Sequence, residues 1–118
     1  MEPIARLSFL LDFYGSLLTE RQRSIAAMHW SEDMSLAEIA AETGITRQAA
    51  HDTVRKAEIA LEEFEEKLGL MTWHLRLKKA SQQAQSLAAN PDCDGNSHAR
   101  LVETLQTISD LLEEPHGL

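Results

Sequence analysis

The stretch from Ser35 to Lys56, SLAEIAAETGITRQAAHDTVRK, constrains the fold more than any other part of the chain. It punctuates a short helix at both ends and opens a second helix almost at once. Ser35 and Glu38 have capping-box spacing, in which a hydroxyl and a carboxylate satisfy free backbone donors at a helix start. Leu36, Ile39 and Ala40 are the apolar positions of that helix. Gly44 ends it as a residue at ease in the left-handed conformation. Thr46, two residues later, is placed to cap the next helix. Two tightly crossing helices need a small residue where their backbones approach, and Ala40 supplies it. Ile45 is suited to plug the angle between them, and Ala50 and Val54 to hold the second helix down. Together these features predict a helix-turn-helix at about residues 35–57 rather than a plain helical hairpin.

The rest of the chain is also written for helix. Valine occurs only at Val54 and Val102, while Ala, Leu and Glu dominate, a bias that disfavours strands. A first helix is expected from Ile4 to Tyr14, with Ile4, Leu7, Leu10, Leu11 and Tyr14 on one face. Gly15 and Ser16 break it. Thr19 and Gln22 form another capping-box pattern, opening a helix to about Trp30 that faces inward with Ile25 and Met28. Ser31-Glu32-Asp33 reads as a turn. The helix after Thr46 carries a stripe of Ala50, Val54, Ala57 and Leu61 and should end near Gly69. Its acids Glu58, Glu62, Glu63, Glu65 and Glu66 read as a solvated face. A further helix fits Met71 to Ala89, with Met71, Leu75 and Leu87 inward. Residues 90–96 read as a linker. Ser97 is a candidate cap for a last helix with the stripe Leu101, Leu105, Ile108 and Leu112, and Pro115 and Gly117 close the chain. The predicted fold class is all-α: a helical bundle containing the helix-turn-helix, with long C-terminal helices. The predicted division is 1–70 for the helix-turn-helix domain and 71–118 for a helical extension, packing on the same domain or on a dimer partner.

With 118 residues and 43% hydrophobic content the chain can build one real core. No run approaches the roughly 20 apolar residues that span a bilayer, since Ser8 to Leu18 is interrupted by Asp12 and Gly15. The start Met1-Glu2-Pro3 lacks the basic residues of a secretory signal. Cys93 is the single cysteine, so no internal disulfide forms and a reducing cytoplasm is the expected location. No membrane partner is expected. The histidines at 29, 51, 74, 98 and 116 have no paired metal-ligand spacing. Asp92, Asp94, Asn96 and Glu103 mimic calcium-loop spacing, but Ser97 stands where such a loop needs glycine. No phosphate loop or serine elbow occurs. Neither catalysis, a metal nor a cofactor is expected.

The charge distribution decides what the helix-turn-helix can meet. A net charge of −8 opposes tight nonspecific binding to nucleic acid. Residues 35–57, however, are balanced: Arg47, Arg55 and Lys56 offset Glu38, Glu42 and Asp52. The acid excess lies mainly after them. With Ala50 and Val54 inward, Arg47, Gln48, His51, Asp52 and Arg55 face out. Arg and Gln near the start of such a helix suit base edges in a major groove. Thr46, Arg47, Gln48, His51, Arg55 and Lys56 are therefore the candidate nucleic-acid-binding residues. The same scaffold also serves protein partners, and fold does not fix function. Arg76, Lys78 and Lys79 could contact phosphate or balance the acidic helix.

Asp12-Phe13-Tyr14, Leu17-Leu18-Thr19, Gln22-Arg23, Ser35 to Ala40, Thr46-Arg47-Gln48-Ala49 and Leu61-Glu62 through Lys67-Leu68 occur in an order that resembles the YlxM-like family of small bacterial helix-turn-helix proteins. The resemblance covers about residues 4–75. The part from Leu18 to Leu61 is also similar to region 4 of bacterial sigma factors, which reads promoter DNA. The resemblance implies a regulatory role associated with the signal recognition particle pathway. The expected partners are duplex DNA or the particle RNA, and the particle GTPase; the C-terminal apolar stripes add a second copy in a homodimer as the alternative to packing within the chain. Ala50 and His51 depart from the family pattern, where a branched aliphatic and a tyrosine are usual.

Overall fold

The computed structural model describes residues 1–89 and 95–113. Among the described residues the chain is all-α, without a strand. Its helices are α1 (Pro3–Tyr14), α2 (Glu20–Trp30), α3 (Leu36–Thr43), α4 (Arg47–Leu68), α5 (Leu70–Ala88) and α6 (Gly95–Glu113). A 3-10 turn over Gly15–Leu17 joins α1 to α2. The chain forms two compact units, Met1–Leu68 and Gly69–Leu118. No helix among the described residues is long and apolar enough to cross a membrane.

In the first unit α4 is the common partner of α1, α2 and α3. The reason is its stripe: Ala50, Val54, Ala57 and Leu61 are all buried, and their spacing keeps one face turned inward for more than three turns. Leu10, Leu11 and Tyr14 of α1, Ile25, Ala26 and Trp30 of α2, and Ile39 of α3 complete the core. The Thr19 capping box forms in full, with Gln22 as its reciprocal partner. Met28 is half-buried rather than central. Ile4, expected on the α1 core face, is 59% exposed, because it sits in the first turn at the margin of the stripe. The turn after α2 is closed by Asp33, at φ 56°, and by the ring Nδ1 of His29, 2.8 Å from the Met34 carbonyl oxygen.

In the second unit α5 and α6 form an antiparallel hairpin, fastened where Trp73 Nε1 donates to the Leu111 carbonyl at 2.7 Å. The alanines Ala80 and Ala84 are buried with Met71, whereas Leu75 and Leu87 are half-buried. Small side chains there let the two helices approach. The α6 stripe is rotated from its expected register. Leu111 is buried and Leu101, Thr104 and Ile108 are half-buried. Leu105 and Leu112, expected inward, are 51% and 61% exposed. Both registers obey helical spacing, and packing against α5 selects the one containing Thr104. The helix also starts earlier than expected, so Asn96 and Ser97 lie inside α6 rather than in a linker and cap. The rest of the expected linker, with Cys93, and the terminal Pro115 and Gly117 lie outside the described residues.

Candidate nucleic-acid interface

The junction between α3 and α4 is built almost entirely from local hydrogen bonds. Ser35 Oγ accepts the Glu38 N–H at 3.1 Å, and the Glu38 carboxylate accepts the Ser35 N–H at 3.2 Å. At the far end Gly44 adopts φ 72°, ψ 25°. The N–H groups of Gly44 and Ile45 both donate to the Ala40 carbonyl, at 3.0 and 3.2 Å. The second is the six-to-one bond of a Schellman turn. A Cβ at Gly44 would meet nothing within 4 Å, so the turn requires glycine for its backbone conformation and not for space. Thr46 then caps α4: its Oγ1 accepts the Ala49 N–H and its carbonyl the Ala50 N–H, both at 3.0 Å. Ile39 and Ala50 are fully buried, and Ala40 and Ile45 half-buried. The short α3, the glycine turn, the plug residue and the start of α4 thus form a helix-turn-helix.

Thr46, Arg47, Gln48, His51, Arg55 and Lys56 are all exposed. Three of them come together, because Arg47, Gln48 and His51 line one open depression with Leu36 of α3. This depression sits at the start of α4, where unpaired backbone N–H groups give a helix its partial positive charge. Arg55 lies further along the same side. Lys56, nine positions beyond Arg47 at about 100° each, is turned roughly to the opposite side of the helix from it. Arg55 and Lys56 do not line the depression.

Leu36 and Glu58 are additions to the site, and Asp52, expected to face out, engages its polar side chains. Asp52 Oδ1 accepts from Gln48 Nε2 at 3.0 Å and lies 3.6 Å from His51 Nδ1. An Arg55 guanidinium nitrogen pairs with Glu58 at 3.3 Å. Spacings of four and three residues on one helix make such pairs predictable. The Arg47 side chain makes no ion pair or hydrogen bond among the described residues.

The acidic run on α4 is not the uniformly solvated face its composition suggests. Arg6 of α1 donates to both carboxylate oxygens of Glu62, at 3.0 and 2.9 Å. That hydrogen bonding lowers the Glu62 pKa against the opposing effect of desolvation and raises that of Arg6. Glu65 is only 7% exposed and accepts a 2.6 Å hydrogen bond from the Tyr14 hydroxyl. Both acids therefore brace α4 against α1, leaving Glu63 and Glu66 exposed. The signal for Glu65 was present in the stripe, since four residues beyond Leu61 is the next inward position.

Among the described residues no group of three or more His, Cys, Asp or Glu side chains could hold a metal ion. Residues 1–96 match the family described as "Putative helix-turn-helix protein, YlxM / p13 like". A UPF0122 protein of Desulforamulus reducens is 46% identical over 115 residues, covering 97% of this chain and 93% of the relative. One from Symbiobacterium thermophilum is 41% identical over 92 residues, 78% of this chain and 86% of its own. A third, from Halalkalibacterium halodurans, is 38% identical over 110 residues, 92% of this chain and 98% of its own. The similarity thus extends well past residue 75 and into the second unit. The helix-turn-helix geometry and these matches agree, and the chain belongs to the UPF0122 family of YlxM / p13-like helix-turn-helix proteins.

Proposed function

We propose that this protein is a nucleic-acid-binding regulator that reads its target with the first turns of α4. The observation that carries the reading is the shared depression of Arg47, Gln48 and His51 at the Thr46-capped start of that helix. In this role Arg47 and Gln48 meet base edges, His51 and Arg55 meet the groove wall or backbone, and Lys56 serves as a flanking phosphate contact. Thr46 Oγ1 accepts from Ala49, which leaves its own proton for a phosphate oxygen. The nearby acids do not block the face. The Gln48–Asp52 and Arg55–Glu58 pairs are exposed and within one helix, each contributing about 0.2–0.5 kcal/mol. A bidentate base contact discriminates by about 1–3 kcal/mol, so releasing Asp52 for a base edge is favourable for Gln48.

The test is a fluorescence anisotropy titration of a random-sequence duplex, and of the RNA of the signal recognition particle, across a salt series. Binding that weakens with salt and collapses in Arg47→Ala/Arg55→Ala supports the reading. Absence of binding to either nucleic acid at low salt overturns it. A second reading, favoured by the net charge of −8, is a protein-interaction accessory of the signal recognition particle that sets its exposed acids against a basic partner. Salt-sensitive association with the particle GTPase alone would select it.

A further inference from the structure

The second unit carries a charge pattern that the helix-turn-helix leaves unused. From Leu70 to Ala89 the chain holds the cations Arg76, Lys78 and Lys79 and no acid, although it has 19 acidic residues in all. Two of these cations face α6 along one side of the hairpin. Arg76, Lys79 and Gln83 of α5 line an open depression with Thr107 of α6. Gln83 and Ser86 of α5 line the next one with Arg100 and Thr104 of α6. Gln83 borders both, so the two make a single trough with a cation from each helix. Arg76, Lys79, Gln83 and Ser86 recur at intervals of three and four, keep to one edge of α5, and span about 15 Å of helix.

Chemistry along this row suits phosphate. Among the described residues, Lys79 and Arg100 have no ion-pair partner. Thr104 and Thr107 give their hydroxyl protons to the carbonyls of Arg100 and Glu103, leaving the Gln83 amide and the Ser86 hydroxyl as neutral donors. Asp110 is turned to Gln106, whose amide it accepts at 3.0 Å. The exposed apolar residues of α6, Val102, Leu105 and Leu112, do not line the trough. The apolar lining is Ala80 and Leu111, at most 5% exposed, and the half-buried Leu87. A membrane surface would engage exposed apolar side chains beside the cations, and the trough presents only the half-buried Leu87.

We propose that this trough binds the sugar–phosphate backbone of a nucleic acid, as a second anchor on the molecule that α4 reads. The proposal rests on the reading of α4 given above. Backbone contacts of this kind position a protein without specifying sequence. Two tethered contacts on one nucleic acid also strengthen each other through effective concentration.

The test uses the full chain, a labelled random-sequence duplex and the double variant Lys79→Ala/Arg100→Ala. Both sites are exposed helical positions where alanine is well tolerated, and circular dichroism confirms the fold. Each lost duplex phosphate contact lowers the log–log salt slope by about 0.9. The ratio of affinities at about 50 and 200 mM salt should therefore fall about 12-fold in the variant. An unchanged slope, with binding still lost in Arg47→Ala/Arg55→Ala, overturns the trough and leaves α4 as the reader. Loss in the trough variant alone keeps the trough and overturns α4 as the reader. A wild-type chain that ignores the duplex overturns the trough as a duplex anchor, and one that also ignores the particle RNA overturns α4 as the reader. Binding to phosphatidylserine vesicles in place of the duplex, abolished by the same variant, overturns the choice of ligand.

Discussion

Replacing Tyr14 with Phe isolates one hydrogen bond in the core of the first unit. Tyr14 is fully buried, and its hydroxyl donates to Glu65, itself 7% exposed, at 2.6 Å. That length is typical of O–H···O⁻ hydrogen bonds. The Tyr14 ring stacks obliquely on Phe64, with centroids 5.9 Å apart, and phenylalanine keeps that contact. What is lost is one charge-assisted bond to a buried carboxylate, which contributes about 1.5–3 kcal/mol. With a urea dependence of about 1–2 kcal/mol per molar for a small protein, the unfolding midpoint should fall by about 0.8–3 M. In a Glu65→Gln background the same substitution should cost about 0.5–1.5 kcal/mol, because the bond there is neutral. Urea unfolding of the four variants of this cycle measures the difference. A midpoint shift below about 0.3 M, or equal costs in both backgrounds, would refute the argument that Glu65 is a charged brace between α1 and α4.

Other consequences follow from the same geometry. Gly44→Ala should destabilise by about 1–2 kcal/mol through backbone strain alone, since a Cβ there meets nothing. Gly44→Asn should recover part of that in chemical unfolding, and equal losses would contradict the turn. Thr46→Asp should keep the α4 cap and hence stability, yet weaken nucleic-acid binding by placing an anion where phosphate is expected; unaltered affinity would count against that placement. The Glu62 pKa is held down first by the Arg6 hydrogen bond. Its contribution is therefore complete above the ordinary carboxylate range and disappears as pH falls through the lowered value. Because Arg6 and Glu62 are 39% and 43% exposed, that contribution should stay below about 1 kcal/mol. The stability gap between wild type and Glu62→Gln should close between neutral and acid pH, and a constant gap would refute the pairing.

What could be read from sequence was what local chemistry determines. Both capping boxes, the Gly44 turn and the Thr46 cap each involve residues within a few positions of one another, and each formed as spelled. The α4 stripe was equally legible, because four small and branched residues at helical spacing leave one inward face. Failures arose where a distant partner decides. Glu62 looks solvated until Arg6 is brought against it by packing between α1 and α4, and the stripe that turns Glu65 inward does not name Tyr14 as its partner. The α6 register could not be chosen by periodicity, since hydrophobicity favours Leu105 over Thr104 while α5 packing favours the reverse. At the candidate interface the outward residues were legible. Their division into a cluster at Arg47, Gln48 and His51, with Thr46, Arg55 and Lys56 outside it, depended on where Leu36 places the depression.

The most direct test of the account is a map of backbone amide chemical shifts in the full chain, recorded with and without a duplex. If α4 reads nucleic acid, the largest changes fall on residues 46–51 and extend to Arg55, and they vanish in Arg47→Ala/Arg55→Ala. Shifts confined to Glu58 through Glu66, or absent from the start of α4 while the duplex is bound, would contradict it.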